Sequence, residues 1–171
     1  TRYAPNAKYV IVSNPVDILT YTFCKCSGLP EKQIIGSGTI LDTARLRCDL
    51  SQHFQVAQKN IHAYVYGEHG DTSFVPWSLT SISGCSLSQF EDLMLKKGLI
   101  DHRVDPEKTL KYVQKSGGEI IAKKGATFYA VAASVTKIIS ALCAAYDSVA
   151  TVSTMMHGEY GIEDVCISTM T

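Results

Sequence analysis

His69 stands between glycines in the run Gly67-Glu68-His69-Gly70-Asp71, 27 residues after Asp42, and Arg45 follows that aspartate by three. Residues three apart on a helix share a face. A carboxylate beside an imidazole favours the protonated ring, so Asp42 can orient and charge His69. The charged ring can then donate a proton to a carbonyl oxygen and take it back from an alcohol. The planar guanidinium of Arg45 is a two-pronged grip for a carboxylate. Together these are the parts for interconverting a 2-oxo and a 2-hydroxy acid. The same residues also have a plainer reading, in which the histidine is a loop residue bonded locally or to water. Asp42 and Arg45 are then a surface i,i+3 ion pair of about 0.2–0.5 kcal/mol.

These side chains need elements to hold them. Tyr9-Val10-Ile11-Val12 is a continuous apolar run, which predicts a strand covered on both faces. Pro15 marks the start of a helix and Gly28 its end, with Val16, Leu19 and Phe23 as one apolar stripe. Residues 33–36 form a short strand, Ser37-Gly38-Thr39 a turn, and Ile40 to about Phe54 a helix with Leu46, Leu50 and Phe54 at intervals of four. A third strand over 62–66 runs into the His69 loop. Strand-helix units followed by a strand are the tail of a doubly wound sheet.

Further on, Asp105-Pro106-Glu107 opens a helix to about Lys124, and Gly125 separates it from a long apolar helix through Tyr146. Strands follow over 151–156 and 165–169, around a turn at 158–164. Gly117-Gly118 inside a helix costs about 1 kcal/mol per glycine relative to alanine, with no reason visible in the sequence. The fold class is α/β: the tail of a doubly wound, parallel, Rossmann-type sheet over residues 1–36, then an α+β substrate and catalytic domain over residues 37–171.

A chain of 171 residues removes roughly 70% of its unfolded surface from water. Sixteen basic and sixteen acidic side chains balance, so no excess field draws in nucleic acid or an anionic membrane. Six cysteines in a chain that is 46% apolar read as reduced thiols of a cytoplasmic protein rather than a disulfide framework. Cys24-x-Cys26 has no second ligand pair at zinc spacing, so no metal is expected. Residues 126–150 are broken by Lys137 and Asp147 and fall short of a membrane span. The opening Thr1-Arg2-Tyr3 is expected to lie in mid-protein, with no leader. No G-x-G-x-x-G occurs, so the usual cradle for a dinucleotide pyrophosphate is absent.

Four segments resemble the signature runs of the L-lactate and malate dehydrogenases, in the same order. They are Ser13-Asn14-Pro15-Val16-Asp17, Gly36-Ser37-Gly38-Thr39-Ile40-Leu41-Asp42-Thr43-Ala44-Arg45, Gly67-Glu68-His69-Gly70-Asp71-Thr72 and Lys124-Gly125-Ala126-Thr127. The resemblance is closest to bacterial L-lactate dehydrogenases and covers essentially the whole chain. It implies NAD as cofactor, pyruvate and L-lactate as substrates, and a homotetramer. It implies His69 as proton donor and acceptor, Asp42 as its partner and Arg45 as the carboxylate anchor. Asn14 would stand where nicotinamide and substrate meet, and Thr127 would line the substrate pocket, although a Thr after Gly125 also reads as a helix opener. The family's glycine-rich loop, its ribose-binding acid, its mobile arginine loop and its final helix are not recognisable here.

Arg47 follows Arg45 by two, so the two project about 200° apart around a helix. His62 precedes His69 by seven residues, about 20 Å along an extended run. Arg47 and His62 resemble the pair that binds fructose 1,6-bisphosphate across a subunit interface in many bacterial lactate dehydrogenases. Paired cations at a two-fold axis would repel until a bisphosphate neutralises them. The bland alternative is a surface Arg and a strand-start His. Malate dehydrogenase shares Asp42, Arg45 and His69, and Gly117-Gly118 resembles malate enzymes, whereas Glu68 and Gly36-Ser37-Gly38 resemble lactate enzymes. A branched 2-hydroxy acid dehydrogenase and a non-catalytic assembly or effector-binding module stay open. His53, His102 and His157 read as unpartnered surface or helix-end residues.

Overall fold

The computed structural model describes residues 2–171. Along the chain run β1 (Tyr9–Ile11), α1 (Val16–Ser27), β2 (Ile34–Gly36), α2 (Ile40–Phe54), β3 (Ile61–His62), β4 (Ser81–Ile82) and β5 (Cys85–Ser86). After them come α3 (Leu87–Lys96), α4 (Pro106–Lys124), α5 (Tyr129–Leu142), β6 (Thr151–His157) and β7 (Glu163–Met170). These elements form two units: residues up to Leu41 with Tyr66–Ser73 and Thr127–Thr171, and Asp42–Val65 with Phe74–Ala126.

The first unit is a four-stranded sheet in the order β1-β2-β6-β7. β1, α1 and β2 make a parallel βαβ crossover, with Val10 opposite Ile35, and this is the tail of the doubly wound sheet. β6 then pairs antiparallel with β2, and β7 with β6. Side chains alternate between the two faces of a strand. Val10 and Ile35 accordingly pack with Val152, Ile40 and Ile138 of α5, while Tyr9 meets the Phe23 ring of α1 at 5.3 Å. A Cβ on Gly36 would lie 2.8 Å from the Ser153 Cβ of β6 and 3.3 Å from the Thr20 Cβ of α1.

α1 begins after Pro15 and ends at Gly28, whose φ of 68° is the left-handed cap glycine supplies. Its buried residues are Val16, Asp17 and Thr20, so the expected Val16-Leu19-Phe23 stripe is corrected. A polar pair takes the place of Leu19, because Thr20 Oγ1 donates to the Val16 carbonyl at 2.7 Å and Asp17 accepts from a backbone amide. β1 is half-buried rather than fully covered. It is an edge of this sheet.

The second unit has one core, in which Leu46, Leu50 and Phe54 of α2 pack with Ile61, Ala63, Val65, Val75, Ile82 and Val113. The third strand is shorter than expected and joins a different sheet: β3 pairs antiparallel with β4, and β4 with β5. The apolar run continues through Ala63 and Val65, but Val65 donates its amide to Thr43 Oγ1 at 2.9 Å. A side chain replaces the ladder partner there. α4 is built as expected, with Asp105 accepting from Glu107 and Lys108 amides, Pro106 in the first turn and Gly125 in the left-handed region. α5 ends at Leu142 rather than Tyr146, closed by Cys143 donating to the Ile139 carbonyl. β4, β5 and α3 have no counterpart in the sequence reading.

Candidate active site

In the first unit Asn14 lies just beyond the carboxyl end of β1 and is exposed. Beside it, Ser37 donates its amide to the Ile11 carbonyl at 2.8 Å. Gly38 has φ 50°, and a Cβ there would lie 2.6 Å from the Ser153 nitrogen, so this turn requires glycine. The carboxyl ends of parallel strands are where such sheets hold ligands.

The His69 loop is fastened from two sides. Gly67 and Ser168 of β7 exchange both backbone hydrogen bonds at 2.9 Å. The His69 amide donates to Asp17 Oδ2 of α1 at 2.8 Å. Within the loop, Thr72 Oγ1 donates to Glu68 Oε2 at 2.5 Å. His69 is half-buried. Ser168 is fully buried and its Oγ accepts from the Thr39 amide at 3.0 Å, so β7 steadies the start of α2 as well. Neither Asp17 nor Ser168 was singled out from sequence. A usable signal for the first was an aspartate in the first turn of α1, next in the chain to the stripe residue Val16.

Thr127 is half-buried in the same unit, two residues past the Gly125 cap. It does not open α5, whose capping residue is Phe128 with no side-chain bond.

In the second unit Asp42 and Arg45 occupy successive turns of α2. Arg45 Nη1 donates to Asp42 Oδ1 at 3.2 Å, with side chains only 13% and 7% exposed. The i,i+3 pair is therefore present, but out of bulk water, where a carboxylate-guanidinium bond is stronger than at a surface. Gly117 of α4 faces this arginine: a Cβ there would lie 3.9 Å from both terminal nitrogens. That gives one of the two mid-helix glycines a neighbour. Gly118 has open space, and nothing in the structure explains it.

Arg47 points elsewhere, its Nε donating to the Ala63 carbonyl at 2.9 Å and its guanidinium 4.6 Å from the Tyr64 ring centre. His62, the residue before Ala63, is exposed on β3. Arg47 thus bonds to the residue that follows His62 in the chain, while Arg45 pairs with Asp42. Two of the other histidines have carboxylate partners: His157 contacts Glu31 at 2.6 Å, and His102 pairs with Asp101 and meets the His53 ring edge-on at 5.0 Å. A cavity of about 420 Å³ in this unit, lined by Asp49, His53, His102, Lys108 and Tyr112, contains none of the candidate residues. Among the described residues no three His, Cys, Asp or Glu side chains gather as a metal site. No helix among them is long and apolar enough to cross a membrane.

Residues 1–36 match the family described as lactate/malate dehydrogenase, NAD binding domain, and residues 39–171 match its alpha/beta C-terminal domain. The chain is 45% identical over 166 residues to L-lactate dehydrogenase 1 of Clostridium acetobutylicum, covering 96% of this chain and 51% of the relative. It is 43% identical over 170 residues to the L-lactate dehydrogenase of Acetivibrio thermocellus, covering 99% and 53%. Among solved structures, an L-lactate dehydrogenase from Clostridium thermocellum superposes with a TM-score of 0.83 at 41% identity, over 96% of this chain and 52% of that one. A lactate dehydrogenase from a Medee basin deep-sea metagenome library gives 0.88 at 36% identity, over 96% and 52%. The chain thus spans about half the length of the relatives it matches. Two matching domain descriptions that together account for nearly every residue, with the signature runs at the ends of β1, β2 and α4 and in the loop fastened to β7, make this chain a member of the lactate/malate dehydrogenase family.

Proposed function

We propose that the whole protein interconverts pyruvate and L-lactate with NAD(H), and that this chain supplies its proton-transfer and substrate-gripping residues. The observation that carries the reading is the buried Asp42 and Arg45 pair on α2 together with the His69 loop, in a chain 43–45% identical to proteins named L-lactate dehydrogenase. His69 is the proton donor and acceptor, Asp42 its carboxylate partner, and Arg45 the fork for the substrate carboxylate. Asn14 offers its amide to the reacting oxygen, and Thr127 lines the pocket. The exposed amide of Asn14 at the carboxyl ends of β1 and β2 suits the nicotinamide end of the cofactor. When bound, NADH supplies the hydride to the carbonyl carbon.

The family matches break between residues 36 and 39. This supports assigning residues 1–36 to the end of the dinucleotide-binding domain and 37–171 to the substrate domain. The hydrogen bond of Arg47 to the backbone of Ala63, next in the chain to the exposed His62, supports a fructose 1,6-bisphosphate site, and with it go a homotetramer, allosteric activation and a place in glycolysis in the cytoplasm. Malate is the second reading, favoured by the absence of a side chain at Gly117 against Arg45.

The test is NADH oxidation by the protein at its natural length, with pyruvate, oxaloacetate and a branched 2-oxo acid compared by kcat/KM. Pyruvate should lead. His69→Asn should lower kcat by about 10²–10⁴, the usual worth of a positioned proton donor. A preference for oxaloacetate would move the assignment to malate, and a fully active His69→Asn would end it. Fructose 1,6-bisphosphate that changes neither the pyruvate saturation curve nor the assembly would remove the effector site. No turnover by any preparation, with assembly intact, would leave the non-catalytic module.

A further inference from the structure

Two segments of the first unit that lead to candidate residues meet at one residue of β7. A row of the sheet runs from Gly36 of β2 to Ser153 of β6 and Ser168 of β7, and the bridge to Gly67 extends it by one more. Asp42 comes six residues after Gly36, and His69 two after Gly67. Towards Gly67, Ser168 acts through its backbone, exchanging two hydrogen bonds of 2.9 Å. Towards α2 it acts through its side chain, where Oγ accepts from the Thr39 amide at 3.0 Å. Thr39 and Ser168 are both fully buried, so water cannot replace that acceptor, and an unpaired buried amide is costly. Gly38 leaves the room this contact needs, since a Cβ there would collide with the Ser168 Oγ.

We propose that Ser168 is a positioning residue for the substrate, whose hydroxyl ties the first turn of α2, the turn leading into Asp42 and Arg45, to the same point of β7 that holds the His69 loop. This role rests on the reading of His69, Asp42 and Arg45 given above. A proton donor and a carboxylate fork serve one small acid only if their spacing is kept. Displacement of about 1 Å costs up to about 10² in rate. With both segments hung from one residue, neither drifts without the other.

Ser153, next in the row, supplies the contrast. It is as fully buried as Ser168, but its hydroxyl has no hydrogen-bond partner. Removing that hydroxyl breaks no bond and leaves no group unpaired, whereas removing the one on Ser168 orphans the Thr39 amide. The backbone pair with Gly67 needs no side chain, so Ser168→Ala releases the α2 end of the joint and keeps the loop end.

The experiment compares the parent, Ser168→Ala and Ser153→Ala at the protein's natural length, by steady-state kinetics with pyruvate and NADH and by hydrogen exchange resolved to single amides. Ser168→Ala should raise the KM for pyruvate and lower kcat/KM about tenfold, with the KM for NADH unchanged. Its Thr39 amide should exchange faster while the Gly67 amide keeps its protection. Ser153→Ala should match the parent in every respect. A lower kcat with the parent's KM for pyruvate is what a smaller folded fraction gives, and it would overturn positioning. Equal kinetic loss in both serine variants would overturn it too. The parent alone also tests the joint: a Thr39 amide that exchanges as fast as an exposed one rules it out, even where Ser168→Ala does not fold. A parent that does not turn over pyruvate is instead a failure of the functional reading, and the exchange pattern is read independently of it.

Discussion

Asp17 shows how much of a proposed site rests on residues that do no chemistry themselves. One of its oxygens holds the His69 amide at 2.8 Å, and the side chain is 8% exposed. Asp17→Ala should leave that amide unpaired and free the loop from α1. The expected cost is about 1–3 kcal/mol of stability, with a fall in kcat larger than the change in KM; urea denaturation and steady-state kinetics check both. The residue types of His69, Asp42 and Arg45 and their spacing were legible in the sequence because charge and geometry on one helix follow from position. Asp17 and Ser168 were not, because their importance lies in partners 52 and 101 residues away. Gly117 was visible as an oddity, but only the facing Arg45 gives it a neighbour.

Local chemistry set the ends of most elements. Pro15 and Gly28 bound α1, Asp105-Pro106 and Gly125 bound α4, and α2 spans the same residues that its leucine spacing marks. Asp105→Ala removes the acceptor for two first-turn amides and should lower stability by about 0.5–2 kcal/mol, read as a drop in Tm. Asp105→Ser should recover most of it. The capping box of α3 was also present in the sequence as Ser86 and Gln89, the signature that precedes an apolar helix. The short strands before it carried no usable period, since a two-residue ladder has no alternation to read. β3 went wrong for a different reason: burial of Ala63 and Val65 mimics a strand, while Thr43 takes the hydrogen bond that a neighbouring strand would have made.

At the level of the molecule, the sequence spoke to class and family. The compact units are a separate matter from the proposed boundary at residue 36: they interleave along the chain, and the first is assembled from three separated stretches. Sequence periodicity is local and cannot report that Gly36 will pair with Ser153. The second unit rests on one core, with Leu46 and Leu50 fully buried at its centre. Leu46→Ala should cost about 2–5 kcal/mol through lost burial and the cavity left behind. Hydrogen exchange should show the loss first at the amides of α2 and β3–β5. The interleaving also sets an order of events. A ribosome releases residues 42–126 well before residues 151–170, and the pairing of β2 with β6 closes a span of more than a hundred residues, a step whose entropic cost precedes its reward. Until β6 and β7 emerge, Val10 and Ile35 therefore lack Val152 as a packing partner, which is an interval in which a chaperone would find the chain.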